Sequence, residues 1–166
     1  MTTTTRNARI VQVNVSPGGV PKLPVQRAWL DVEGLEGDGH RAPGHGGPLR
    51  AVSLWSLERI KALRAEGHPV FPGAAGENLT ISGLEWAELE PGQRLRLGAA
   101  VVELTRYVVP CKNVAYAFTD GDFQRIHQDA HPGWARLYAR VLVPGMVAVG
   151  DPVEFVSADA EVGASA

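Results

Sequence analysis

The chain has a single cysteine, Cys111, among its 166 residues. It therefore cannot close an internal disulfide, which suits a reducing compartment. It also offers no second thiolate for a closed zinc site, which wants four ligands. No apolar run approaches the length that spans a bilayer. The start, MTTTTRNAR, lacks the apolar stretch of a secretory signal, so the expected location is cytoplasmic. A basic excess is missing too: 16 Lys and Arg face 18 Asp and Glu, for a formal net charge of −2. Proteins that hold nucleic acid or anionic membrane by bulk charge show the opposite balance, so neither is expected as a partner. Linkers, repeats and low-complexity blocks are absent between the two ends.

What is present reads as one domain over residues 8–156, with small, polar or Ala/Gly-rich ends, 1–7 and 157–166, expected to fray. RIVQVNVS alternates, with Val11, Val13 and Val15 on one face and Gln12 and Asn14 on the other, as in a half-buried strand. VQRAWLDV, LRAVSL, ENLTIS, QRLRLG, AVVELTRYVV and DPVEFV share β-branched or alternating composition and are bounded by Gly or Pro. One helix is expected from Ser53 to Gly67, with Leu57, Ile60 and Leu63 on one face, Ser53 or Ser56 as cap, and Gly67 and Pro69 as terminators. A weaker helix is expected over about Asp122 to Ala130, and a further turn over Trp134 to Tyr138. Many short strands and two or three short helices predict a mainly β fold, a closed or partly open β-barrel, since closure removes vulnerable sheet edges.

Three segments are too polar and glycine-dense for such a framework. GLEGDGHRAPGHGG, Gly34 to Gly47, is either a long turn or a loop in which His40 and His45 meet a ligand beside glycine amides that cradle an anion. GAAGENLTISG, Gly73 to Gly83, puts Glu77 and Asn78 at a strand entrance, where Asn78 either folds back on local backbone or, with Glu77, orients a polar ligand. TRYVVPCKNV carries Cys111 just after Pro110, which ends its strand. A lone cysteine is most often a small buried hydrophobe. Nearby cations such as Arg106 and Lys112 instead favour the thiolate, the species that ligates soft metals or carries sulfur. A protease-like pairing with His40 or His45 lacks any matching local signature around the cysteine. Arg136 and Arg140 in WARLYARVL either form a solvated face of a helix or strand, or project into the site to hold phosphate.

Taken in order, GLEGDGH, HGGPLRAVSLWS, GENLTISG, PGQRLRLG, PCKNV and HPGWARLYARVLVPGMVAVGD resemble the MOSC domain, the family named for the C-terminal domain of molybdenum-cofactor sulfurase. The resemblance runs from about Val11 to Phe155 and implies a stand-alone MOSC protein, without the extra N-terminal β domain or C-terminal extension of some relatives. It implies a barrel similar to the small barrel domain of pyruvate kinase. It also implies that Cys111 carries sulfur or ligates the molybdenum of a pterin cofactor. Larger relatives belong to reductases that remove oxygen from N-hydroxylated bases and amidoximes, with electrons from partner proteins.

On this reading Cys111, His40 and Glu77 are the catalytic candidates, the latter two for proton delivery, and Cys111 is the molybdenum ligand. Cofactor binding falls to Asp38, His45, Gly46, Gly47, Arg50, Asn78, Arg106, Lys112, Arg136 and Arg140. Gly39 departs from the family, many of whose members carry a basic residue there; a phosphate contact made by that residue is either missing here or supplied by Arg41 or Arg50. The expected partners are a small-molecule substrate and either an electron-donor protein or a cysteine desulfurase. Two rival readings stand beside the reductase: a sulfur carrier with a persulfide on Cys111, and a non-catalytic module for a small anion or a protein. Pyridoxal phosphate is not expected, because Lys112 alone is weak ground for a Schiff base.

Overall fold

In the computed structural model, residues 7–39 and 47–157 are described. Among these described residues eleven strands form two sheets. In chain order they are β1 (Arg9–Val15), β2 (Leu23–Val25), β3 (Arg27–Asp31), β4 (Gly34–Leu35), β5 (Val52–Ser56), β6 (Leu79–Ser82), β7 (Arg94–Leu97), β8 (Ala100–Tyr107), β9 (Leu137–Val143), β10 (Gly145–Ala148) and β11 (Val153–Val156). The larger sheet has eight strands in the order β11-β7-β8-β9-β5-β6-β1-β2, and the smaller has the order β10-β3-β4. All pairings are antiparallel except β5 with β6. Hydrogen bonding does not run fully around, so the fold is a partly open barrel. An isolated bridge between Arg9 and Pro152, with Ile10 N–H donating to Asp151 O at 2.9 Å, stitches the start of β11 to β1.

The core explains the order. Val52, Leu54 and Trp55 of β5, Leu79 and Ile81 of β6, and Leu137 and Ala139 of β9 are all at most 1% exposed. β5 lies between β6 and β9 and is buried on every residue. Such a strand reads as a continuous apolar run without alternation, which is why SLWS also passes as the start of a helix. The one α-helix among the described residues, α1 (Leu57–Ala65), therefore begins four residues later than expected, after β5 has used Ser53 to Ser56. Ser56 is its cap, its Oγ accepting from Arg59 N–H at 3.1 Å, and Ile60 and Leu63 are its buried face.

Other expectations shift in instructive ways. Residues 25–32 do not form one strand, because β2 pairs with β1 in the large sheet while β3 joins β10. In β1 a register irregularity between Ile10 and Gln12 breaks the alternation, so Ile10, Val13 and Asn14 are the fully buried residues. The expected helix over 122–130 shrinks to a 3-10 turn at Phe123–Ile126, capped by Asp122. Trp134 to Tyr138 forms no helical turn; Leu137 opens β9, whose Leu137, Ala139 and Val141 alternate buried with Tyr138 and Arg140. A period of two prevails because β5 and β8 flank this segment and satisfy its backbone.

Candidate functional site

The end of the barrel between β1, β5, β8 and β9 opens into a cavity of about 400 Å³, within the usual range of small-molecule sites. Its wall is assembled from loops far apart in the chain. β8 ends at Tyr107, and Val108 N–H donates to Arg136 O at 2.9 Å, tying the segment that carries Cys111 to the start of β9. After Val109 and Pro110, Cys111 caps the 3-10 turn Lys112–Ala117, its carbonyl accepting from Val114 N–H at 3.1 Å. The thiol is exposed and lines the cavity.

Arg136 lies inside the wall, 7% exposed. One guanidinium nitrogen, Nη1, donates to Ala75 O, while Nε has no hydrogen-bond partner among the described residues. Burial lowers its pKa, and the neighbouring Tyr138, Glu77 and Cys111 pull the other way. A buried guanidinium with an unused N–H is costly unless something accepts from it. Tyr138 also lines the cavity, with the Arg50 guanidinium 5.7 Å from its ring centre. Arg50 is the last residue of the 3-10 turn Pro48–Arg50, whose N-cap is Gly47.

A second cation stands opposite. Lys22 Nζ donates to both oxygens of Asp38, at 2.6 and 2.7 Å, with the lysine side chain 11% and the aspartate 1% exposed. The same carboxylate accepts from Ser16 N–H and from Asn78 Nδ2–H, both at 3.0 Å. Asp38 thus places Lys22 at the cavity, and an ammonium's third proton remains for a ligand. Asn78 is pinned by its remaining contacts: its Nδ2 donates to Asn14 O at 3.2 Å and its Oδ1 accepts from Ser53 N–H at 3.0 Å.

Glu77 has a different task. It is fully buried, is not part of the cavity wall, and its Oε2 accepts from Gly73 N–H and Thr80 Oγ1–H, both at 2.9 Å. Burial pushes its carboxyl up, against those hydrogen bonds and the charge of Arg136. It closes the loop 73–77 on itself, and that loop presents Ala75 O to Arg136. Gly73 has φ +91°, and a side-chain carbon there would run into the Lys22 carbonyl oxygen.

Of the residues singled out from sequence, Cys111, Arg50, Asn78 and Arg136 line the cavity, with Asp38 directly behind it. Gly47 lies two residues before Leu49 in the same approach, outside the wall. Arg106 is exposed on β8 and Lys112 is exposed on its turn; neither lines the cavity. Arg140 points to the outer face of β9, its Nε donating to Glu103 Oε1 at 3.0 Å. His40, His45, Gly46 and Arg41 lie outside the described residues. Gly39 is in the wall, and any side chain there would strike the Pro17 carbonyl, so the backbone path itself demands glycine. Sequence reasoning missed Lys22, Ser53 and Tyr138. Lys22 was legible in principle, since Pro17-Gly18-Gly19 is one more glycine-dense run and Lys22 closes it.

Among the described residues no three His, Cys, Asp or Glu side chains cluster as a metal site, and no helix is long and apolar enough to cross a membrane. The class defined so far is a partly open β-barrel with a cation-walled cavity and a free thiol at its mouth. The chain belongs to the MOSC domain family, whose family model matches residues 41–154. It is 33% identical over 142 residues to YflK of Bacillus subtilis, covering 84% of this chain and 63% of that protein. To YiiM of Escherichia coli it is 30% identical over 148 residues, covering 85% and 65%. The chain thus spans a little under two thirds of both relatives. A protein of Gibberella moniliformis named simply a reductase is 28% identical over 134 residues, covering 77% of this chain and 23% of that protein. Among solved structures, YiiM from Geobacillus stearothermophilus superposes with a TM-score of 0.74 at 25% identity, over 90% of this chain and 75% of that one.

Proposed function

We propose that the cavity holds a molybdenum-pterin cofactor, with Cys111 as the protein's thiolate ligand, and that the loaded protein reduces N-hydroxylated compounds. The observation that carries this reading is the unpartnered Nε of Arg136, buried beside an exposed thiol. The residues present fit such a group. Arg136, Lys22 and Arg50 offer donors for its phosphate, and the sulfur offers a soft ligand. When bound, the metal supplies two-electron oxygen-atom chemistry that no side chain can.

The protein's own part is placement. The hydrogen bond from Val108 to Arg136 fixes the cysteine segment against the anion-binding guanidinium, so sulfur and cation keep a set separation. Asp38 and Asn78 fix Lys22. Removing oxygen from an N-hydroxyl consumes two electrons and two protons and leaves an amine and water. Tyr138 and the Lys22 ammonium are the titratable donors in the described wall from which a proton can reach the cavity, whereas Glu77 is turned into its own loop. The reductase named among the relatives supports the reductive direction.

Cys111→Ser, purified from a host that makes the cofactor, is expected to lose bound molybdenum while keeping its fold by circular dichroism. Equal metal content in the two proteins would sink the proposal. The exposure of the thiol also favours a second reading, a carrier that accepts sulfur from a desulfurase as a persulfide. Mass spectrometry after incubation with a desulfurase and cysteine distinguishes it: a sulfur adduct on Cys111 supports the carrier, and none removes it.

A further inference from the structure

One face of the barrel is unlike the rest. β7 turns Arg94 and Arg96 outward, opposite buried Leu95 and Leu97. The register continues the row: Arg94 stands opposite Glu103 of β8, and Glu103 opposite Arg140 of β9. A bulge between Leu104 and Arg106 then brings Arg106 opposite Tyr138. Tyr138 is a wall residue of the cavity, and the Arg50 guanidinium lies over it. A band of five arginines therefore runs across three strands and ends at the cavity mouth.

Two carboxylates interrupt it, Glu103 and, on β11 opposite Arg96, Glu154. Glu103 accepts from Arg94 Nε at 3.0 Å and from Arg140 Nε at 3.0 Å. Burial would push its carboxyl up, but hydrogen bonds from Arg94 and then Arg140 leave it below the usual glutamate range. It is a stiffening strut between two arginines and cannot neutralise both. The band keeps an excess of positive charge in a chain whose net charge is −2. The small sheet carries a different surface, where exposed Trp29 and Met146 sit beside Asp31, Glu33 and Glu36, with Arg27 on the same face of β3.

We propose that the outer face of β7, β8 and β9 is the docking surface for an electron-donor protein with a carboxylate-rich face. This rests on the reductive reading above, which requires two electrons per N–O bond that the chain has no group of its own to store. Redox encounters are small, polar and short-lived, and are steered by charge more than by buried apolar area. A band of guanidinia, two of them held by Glu103, ends at the cavity, supplies that steering and brings the donor next to the site it must reduce. The carboxylates of the small sheet disfavour the same donor there.

The test is a titration of the isotope-labelled protein with a flavodoxin of net negative charge, followed by amide chemical shifts at low ionic strength. Shifts confined to β7–β9 and the Arg50 turn support the surface. Raising the salt to about 0.5 M, where the Debye length falls to about 4 Å, should weaken binding roughly tenfold or more. The double variant R96E/R106E, at positions with no side-chain hydrogen bond or ion pair among the described residues, should do the same while circular dichroism shows the fold retained. No shifts, or shifts centred on Trp29, overturn the proposal. Concentration-dependent self-association abolished by R96E/R106E overturns it in favour of a second copy binding through the carboxylates of its small sheet. Normal molybdenum retention with no flavodoxin binding removes the docking surface alone. Flavodoxin binding to a chain that never holds molybdenum leaves the surface and removes the reductive reading.

Discussion

Arg136 and Arg140 lie four residues apart in the sequence and face opposite fates. Arg136 is in the wall of the cavity, buried, held by one backbone carbonyl and left with an unused N–H. Arg140 is on the outer face, its side chain 43% exposed and paired with Glu103. The lesson is that the same residue type at neighbouring positions does two kinds of work. Inside, a single guanidinium is expensive and specific; outside, several cheap ones add up to a field.

The contrast predicts unequal costs. Arg136→Ala should be the most damaging change, destabilising by about 3 kcal/mol because it opens the wall and strands Ala75 O. Urea unfolding measures it, and a loss under about 1 kcal/mol would mean the guanidinium is not built in. Asn78→Ala comes next, at about 2–3 kcal/mol, since it unpairs Ser53 N–H and Asn14 O and frees Asp38. It should also weaken binding of inorganic phosphate, as Asp38, the anchor of Lys22, loses one of the hydrogen bonds that hold it.

Glu77 sharpens the comparison through pH. Its native carboxyl titrates above the ordinary glutamate value of 4.5. The folded state therefore keeps a proton that the unfolded chain has released. The associated stability is full below the unfolded value and is lost as pH rises through the native one, with a slope of at most about 1.4 kcal/mol per pH unit. Glu77→Gln should remove that slope from the difference between variant and parent. Identical pH profiles for the two proteins would show that Glu77 titrates normally. Smallest of all, Arg140→Ala should cost under about 1 kcal/mol, and less in high salt, because Glu103 keeps Arg94.

Much of this was legible in the chain. The strands of Leu95 and Leu97, of Val102 and Leu104, and the cap at Ser56 follow from alternation and capping chemistry that act within a few residues. β5 and β9 were harder, for a strand buried on both sides loses its alternation, and WARLYARVL fits a helix as well as a strand until its neighbours are known. The site divided in the same way. Cys111, Asn78 and Arg50 sit in polar, glycine-rich or proline-broken segments that stand out locally. Lys22 and Tyr138 do not, because their meaning lies in partners across the barrel.

By itself, then, the sequence determined the β-rich pattern, the single thiol after Pro110 and the ordered motifs of the MOSC family, all of them short-range properties of side chain and backbone. Tertiary structure alone decided that Arg136 turns inward while Arg140 turns out, that Glu77 braces a loop, and that Gly39 must remain glycine beneath the Pro17 carbonyl. Those outcomes depend on which distant strand supplies the carbonyl, the carboxylate or the obstruction. No local pattern encodes them, since only closure of the barrel brings those groups together.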